Sequence, residues 1–416
     1  MTQLALPSAI LCAVLAVAML AGFGCVQASP SPTLTPYPDT PATYPPSPPP
    51  RPSATAVGIA GTPQPALPGA PWAWGRNENG QLGRGTIVNS PSPEPVVGLA
   101  NIVGVAGGNA FSLGLESDGT VWAWGLNRSG QLGDATTTDR SRAVRVNTTQ
   151  AMSLVAAGAE HSLAVGTDGT VWAWGGNGGG ALGTGSSANS STPVQVSGVS
   201  EVTGVAGGYN HSLAVTREGL VWAWGSNASG QLGDGSTAAN RRPVQVPSLR
   251  DVKMVAASAD HSLALATDGT VWAWGENDAG QLGNGTMTPS LVPDRIAGLE
   301  RVVQIAAGYR HNLALLDDGT VWAWGANDSG QLGTGTTDPS LTPVQVAGLA
   351  NVVAIAAGLE HSLAVSADGR VWAWGSNSSF QLGGDTVRLR TNAAPVRGVE
   401  GARTVAAGQF HSLATR

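Results

Sequence analysis

Cysteine is almost missing from this 416-residue chain, and the only two, Cys12 and Cys25, fall near its start. Everything beyond them is thiol-free, which excludes a disulfide framework and a thiolate metal centre there. Lysine is scarcer still, with Lys253 the single example among 21 basic residues, and charged residues reach only 12 %. A net charge of −6 without any basic run leaves no footprint for nucleic acid or an anionic membrane surface. No helical period of apolar residues recurs. The 58 glycines argue against a helical bundle, because each costs a helix interior about 0.5–1 kcal/mol. Collagen is excluded too, since no Gly-X-Y triplet recurs and apolar residues reach 42 %.

One long apolar stretch is present, residues 4–23, and it reads as a secretory signal followed by small residues. The expected export signal spans residues 1–28. Gly22-Phe23-Gly24-Cys25 resembles a lipobox and makes Cys25 the candidate lipid acceptor, whereas Val26-Gln27-Ala28 fits ordinary cleavage before Ser29. Left uncleaved, the segment is just long enough to anchor in a bilayer. Residues 29–52 then place 11 prolines in 24 positions, a composition that is extended and builds no core. The expected linker runs over 29–70. The protein is therefore expected outside the cytoplasm, secreted or at the cell envelope, touching membrane only through its N-terminal segment.

What the chain does have is a repeat. Trp-Ala-Trp-Gly recurs with its second tryptophan at 74, 124, 174, 224, 274, 324 and 374, a constant spacing of 50 that uses all 14 tryptophans. A second phrase, His-Ser-Leu-Ala, places the six histidines at 161, 211, 261, 311, 361 and 411, with Phe111 in the first slot. Around one copy, alternation marks short strands at 353–357, 361–365 and 371–374, with Asp368-Gly369 as the hairpin between the last two. The Asp-Gly pair predicts a turn in which both residues take positive φ. A fourth strand lies at Pro343-Val344-Gln345-Val346 and its equivalents. Four short strands per 50 residues, seven times over, describe an all-β, seven-bladed propeller over residues 71–416.

Trp122 and Trp124 share one face of their strand while Val121 and Ala123 share the other, so large side chains are expected to pack against small ones of the next blade. The Trp72 strand has no His-Ser-Leu-Ala strand before it, and the His411 strand has no tryptophan strand after it. These two orphans are expected to pair and close the ring.

The consensus VAAGxxHSLA…DGxVWAWGxNxxGQLGxG resembles the regulator-of-chromosome-condensation repeat, and the resemblance covers residues 71–416. It implies a seven-bladed propeller. Departures are local: Phe111 for His, Ala181 for Gln, Ser258 for Gly and Phe380 for Gly. The family's name-giving members are nuclear exchange factors for a small GTPase that use a wedge inserted on one blade. The equal spacing here leaves no room for that wedge, and the expected export points away from exchange. In setting the chain is more similar to secreted bacterial members that inhibit a β-lactamase through the loops of one propeller face, so inhibition of a secreted enzyme is a further implied function.

Two residues between VAAG and the histidine change in nearly every copy, giving Glu160, Tyr209 with Asn210, Asp260, Tyr309 with Arg310, Glu360, and Gln409 with Phe410. The loop after Trp-Ala-Trp-Gly varies likewise, at Arg76, Glu78, Arg128, Glu276, Asp278 and Asp328. Antiparallel geometry puts both loops on one rim of every blade and the Asp-Gly turns on the other. This rim is the candidate binding surface for a protein or glycan. Tyr209, Tyr309 and Phe410 are its expected aromatic anchors and Arg310 its polar one, and its mild acidity favours a neutral or basic partner. The competing reading is unselected loop drift.

No catalytic residues, cofactor or metal are expected. The histidines share one register and so one structural task, and a serine beside a histidine on the same strand faces away from it. A hydrolase or lyase in the central channel would need a carboxylate cluster that the repeat does not supply. Sequons such as Asn127-Arg128-Ser129 follow from the repeated loop itself. A monomeric interaction propeller is the resulting expectation.

Overall fold

The computed structural model describes residues 69–384 and 387–416. The expected export signal, Cys25 and nearly all of the proline-rich linker lie outside the described residues. Seven antiparallel four-stranded sheets follow one another along the chain. Blade 1 consists of Ile102–Gly107, Phe111–Glu116, Val121–Gly125 and Arg140–Arg145, paired in chain order from the axis outward. Blades 2 to 6 repeat it, with tryptophan strands at Val171–Gly175, Val221–Gly225, Val271–Gly275, Val321–Gly325 and Val371–Ser376. Blade 7 is shared between the chain ends: Thr404–Ala407 and His411–Thr415 are its inner strands, Trp72–Gly75 and Ser90–Pro95 its outer ones. Trp72 lies opposite Ala414 and Gly75 opposite His411. The orphan strands thus pair as the repeat phase requires.

The cores lie between blades. Trp124, fully buried, packs with Ala73 and Leu413 of blade 7, while Val121 and Ala123 on its strand's other face pack with Trp174 of blade 2. Each interface therefore sets one tryptophan against small residues of the neighbouring sheet. The indole is also held by a polar contact, because burying an N–H without an acceptor is costly. Trp124 Nε1 donates to the Gln81 carbonyl at 2.7 Å, and Ser112 Oγ donates to the same oxygen at 2.9 Å. Every interface repeats this, down to Asn312 Nδ2 and Trp324 Nε1 meeting on the Gln281 carbonyl at 2.7 and 3.0 Å. Further out, the amide of Gly85 donates to the Ser141 carbonyl of the next blade's outer strand, and Gly185 and Gly285 do the same to Arg241 and Leu341.

The departures from the repeat have visible results. In the Asp-Gly hairpins only glycine takes positive φ (87° at Gly119), so the expectation that both residues do is corrected. The Gly119 amide donates to the Glu116 carbonyl and the Glu116 amide to Thr120, which makes a type I turn ended by a left-handed glycine. Aspartate serves instead by its side chain, with Asp118 Oδ1 accepting the Thr120 amide at 2.8 Å. Ala181 lacks the glutamine oxygen that elsewhere caps the loop, as Gln131 does for the Ser129 amide at 2.9 Å, and Gly178–Gly180 winds into a short 3-10 turn. A Cβ on Gly158, Gly208, Gly308, Gly358 or Gly408 would overlap the following histidine ring. Ser258 occupies the sixth such position, and there the turn bond to the His261 carbonyl stretches to 3.3 Å, against 2.8 Å at Gly158. Phe380 sits at φ 67°, where the other copies have glycine, as at Gly130.

Candidate binding rim

Each blade joins its two variable loops by one backbone bond. The Arg76 amide donates to the Phe410 carbonyl at 2.9 Å, Glu276 to Asp260 at 2.9 Å and Ala326 to Arg310 at 2.8 Å. Both loops therefore share one rim in every blade, as the strand directions require.

Within each variable pair the two residues take different places. The first lies at the mouth of the central channel, where backbone bonds pass from blade to blade: Asn109 N–H to Ala159 O at 3.1 Å, Tyr209 to Ser258 at 3.2 Å, Gln409 to Gly108 at 3.2 Å. These surround a cavity of about 130 Å³, with Tyr209, Tyr309, Leu359 and Gln409 on its edge. Tyr209 and Tyr309 remain 44 % and 42 % exposed.

The second residue of each pair turns into the groove between blades. Glu160 and Glu360 accept hydrogen bonds from Ser129 and Ser329, each at 3.1 Å. Arg310 Nε donates to Asp278 Oδ1 at 3.0 Å, and the Arg310 guanidinium holds the Asp278 carboxyl below its usual range. Asn210 Oδ1 lies against Gly178, where a Cβ would collide with it. Phe410 is half-buried beneath the Arg76 guanidinium, 5.4 Å from its ring centre. The two tyrosines are the more exposed aromatic rings of the rim.

Charge resolves in the same way. Arg76 pairs with Glu78 and Arg310 with Asp278, which leaves Glu160, Asp260, Glu276, Asp328 and Glu360 against Arg128. Two of these acids, Asp260 and Glu276, share one pocket of about 250 Å³ with Gln281, Asp278, Tyr309 and Arg310. Asp260 accepts from Gln231 Nε2 at 2.8 Å, and burial, then the neighbouring Glu276, push its carboxyl above the ordinary range. Tyr309 borders both this pocket and the central mouth. Gln231 and Gln281 carry no signal in the sequence, because every copy but one has glutamine there.

Five of the six histidines meet serines after all, though of the next copy, and His261 Nε2 meets Asn312 Oδ1 at 2.8 Å. His161 Nε2 lies 2.9 Å from Ser212 Oγ, His211 3.0 Å from Ser262 and His361 3.1 Å from Ser412. Each serine gives its only proton to a backbone carbonyl, as Ser212 does to Ala181 at 2.9 Å. The ring must therefore donate from Nε2, and His211 Nδ1 is left buried without a partner. Both side chains are fully buried, so the pair is a structural clasp in which the serine proton is already committed. Burial pushes the His161 imidazole down to about 4, and His211 and His311 to about 3. Asn127 is also buried, its amide spent on Leu132 N–H and the Thr136 carbonyl, so that sequon is a loop clamp.

A family profile described as the RCC1-like domain matches residues 66–299 and 198–416. The chain belongs to the RCC1-like family. Among solved structures, this RCC1-like chain is similar to Prp20p of Saccharomyces cerevisiae, with 25 % identity and a TM-score of 0.75 over 84 % of this chain and 91 % of that one. The binding properties of Prp20p to Gsp1p and histones have been described. It is also similar to human WBSCR16, with 26 % identity and a TM-score of 0.75 over 83 % of this chain and 98 % of that one. No curated protein sequence matches. The setting expected from the sequence is secreted and bacterial, whereas these neighbours come from yeast and human.

Proposed function

We propose that this RCC1-like propeller is a protein-binding module that engages a partner through the variable rim, without catalysis. The observation that carries this reading is the continuity of Tyr209, the central mouth, Tyr309 and the Asp260–Glu276 pocket. Two exposed aromatic rings beside uncompensated carboxylates suit a partner that inserts basic side chains between aromatic contacts. The protein partners of Prp20p support protein binding over glycan binding. The N-terminal residues 1–28 are proposed to export the chain, either with Cys25 as lipid acceptor or by cleavage before Ser29; mass spectrometry of the mature N-terminus distinguishes the two.

The test of the rim is affinity capture with the native chain and with Tyr209→Ala/Tyr309→Ala and Asp260→Asn/Glu276→Gln variants. Loss of the same captured protein from both, with unchanged melting, is the expected result. An unchanged set of captured proteins from both overturns the proposal and leaves loop drift. Guanine-nucleotide exchange is the alternative by family likeness, and accelerated nucleotide release from a small GTPase would replace the present reading.

A further inference from the structure

The sevenfold pattern fails at one place on the opposite rim. In six copies the loop that leaves the outer strand inserts an apolar plug beneath the interblade core: Leu99, Val199, Leu249, Leu299, Leu349 and Val399. The seventh has Thr149, which is exposed, and the core between blades 1 and 2 draws Val146 from this loop but nothing from the plug position. The loop backbone differs as well. Residue 101 and its equivalents at 201, 251, 301, 351 and 401 take positive φ, whereas Ala151 does not. Gln150 instead crosses to blade 2, donating to Thr170 Oγ1 at 2.8 Å and Asp168 Oδ1 at 3.1 Å.

An open pocket of about 330 Å³ lies here, lined by Asp118, Thr120, Arg145, Thr148, Thr149 and Gln150, larger than the pocket of about 240 Å³ that Val199 borders at the equivalent place one blade on. Its walls are chemically unlike. Arg145 makes no ion pair or hydrogen bond among the described residues, and the Thr148 and Thr149 hydroxyls are likewise free. Asp118 faces them as an ionised carboxylate, held below its usual range by the Thr120 amide and hydroxyl and, more weakly, by the charge of Arg145. A guanidinium with its donors unspent beside two hydroxyls fits a carboxylate. Asp118 and the Gln150 side-chain oxygen offer acceptors to hydroxyl groups.

We propose that this unplugged pocket is a second ligand site, distinct from the variable rim, that takes a sugar bearing a carboxylate. Arg145 with Thr148 and Thr149 holds the acid group, and Asp118 with Gln150 receives the ring hydroxyls. The site is independent of the protein-binding rim, and rim substitutions leave it unchanged.

The experiment titrates the folded chain with glucuronate, glucose and acetate, followed by calorimetry and protein-observed NMR. Glucuronate is expected to saturate, with glucose and acetate each about tenfold weaker or more, the loss expected when one charge-assisted contact or one set of hydroxyl contacts is missing. Thr149→Leu, which supplies the plug found elsewhere, is expected to abolish binding with melting unchanged or raised. Arg145→Gln reduces glucuronate to the level of glucose. Failure of glucuronate to saturate by about 10 mM, glucose or acetate binding as well as glucuronate, or undiminished binding by either variant overturns the proposal.

Discussion

His411 in the last strand and Ser112 in blade 1 lie 2.9 Å apart, Nε2 to Oγ, although 299 positions separate them. The same clasp joins His161 to Ser212, so the seam where the chain ends meet uses the chemistry of the other interfaces.

Removing residues 411–416 therefore withdraws a strand from blade 7 together with the buried Leu413. Loss of that leucine alone is worth about 2–5 kcal/mol, and the Trp72–Gly75 strand loses its inner neighbour. A large fall in melting temperature is expected for the truncated chain. An unchanged melt contradicts closure by this strand.

Stability is expected to fall as pH drops below about 6.5. The buried imidazoles titrate near 3 to 4 when folded and near 6.5 when unfolded. The unfolded chain thus binds more protons in that window, and each such histidine removes about 1.4 kcal/mol per pH unit. Above pH 7 this contribution is complete and flat. His161→Phe, which copies the residue that blade 1 already carries at Phe111, is expected to reduce the slope by about one-sixth. A melting temperature indifferent to pH between 7 and 5 would refute the clasp as a set of neutral rings.

Phe380 adopts φ 67°, a conformation costing an L-residue about 1–2 kcal/mol. Phe380→Gly is expected to stabilise the fold by about 1 kcal/mol in urea denaturation. Destabilisation would show that the ring makes compensating contacts.

Trp324 Nε1 reaches the Gln281 carbonyl of the preceding blade at 3.0 Å. Trp324→Phe keeps an aromatic ring but deletes that bond, and a cost of about 1–3 kcal/mol is expected. Trp324→Ala is expected to cost more, about 3–5 kcal/mol. Equal losses for the two would mean that the hydrogen bond, rather than the packed ring, carries the interface.

The blades are legible in the sequence because Trp324 and His311 recur in fixed phase, and strand alternation alone assigns their faces. Contacts between copies are not. Nothing in the phrase His-Ser-Leu-Ala says that His161 reaches the serine of the following copy, since pattern reasoning assigns neighbours along a strand and leaves the blade-to-blade offset open. The variable rim stands out against its invariant surroundings, yet the covering of Phe410 by Arg76 depends on how two distant segments meet in blade 7. Thr149 is inconspicuous for a different reason. A threonine in a loop is unremarkable until the other copies show that an apolar plug belongs there.

One set of bonds between blades has a fixed sense: each blade donates its indole proton, and a hydroxyl or (at Asn312) an amide proton, to the loop of the one before it, and blade 1 donates to blade 7, while the histidine bonds run the other way. Followed round the ring, this set keeps its sense at every interface and has no first member. The interfaces on either side of blade 7 are thus no different in kind from the rest. A circular permutant of residues 69–416 that joins its two ends by a short linker and opens another outer-to-inner loop would keep these interfaces and differ only in which blade is made of two pieces.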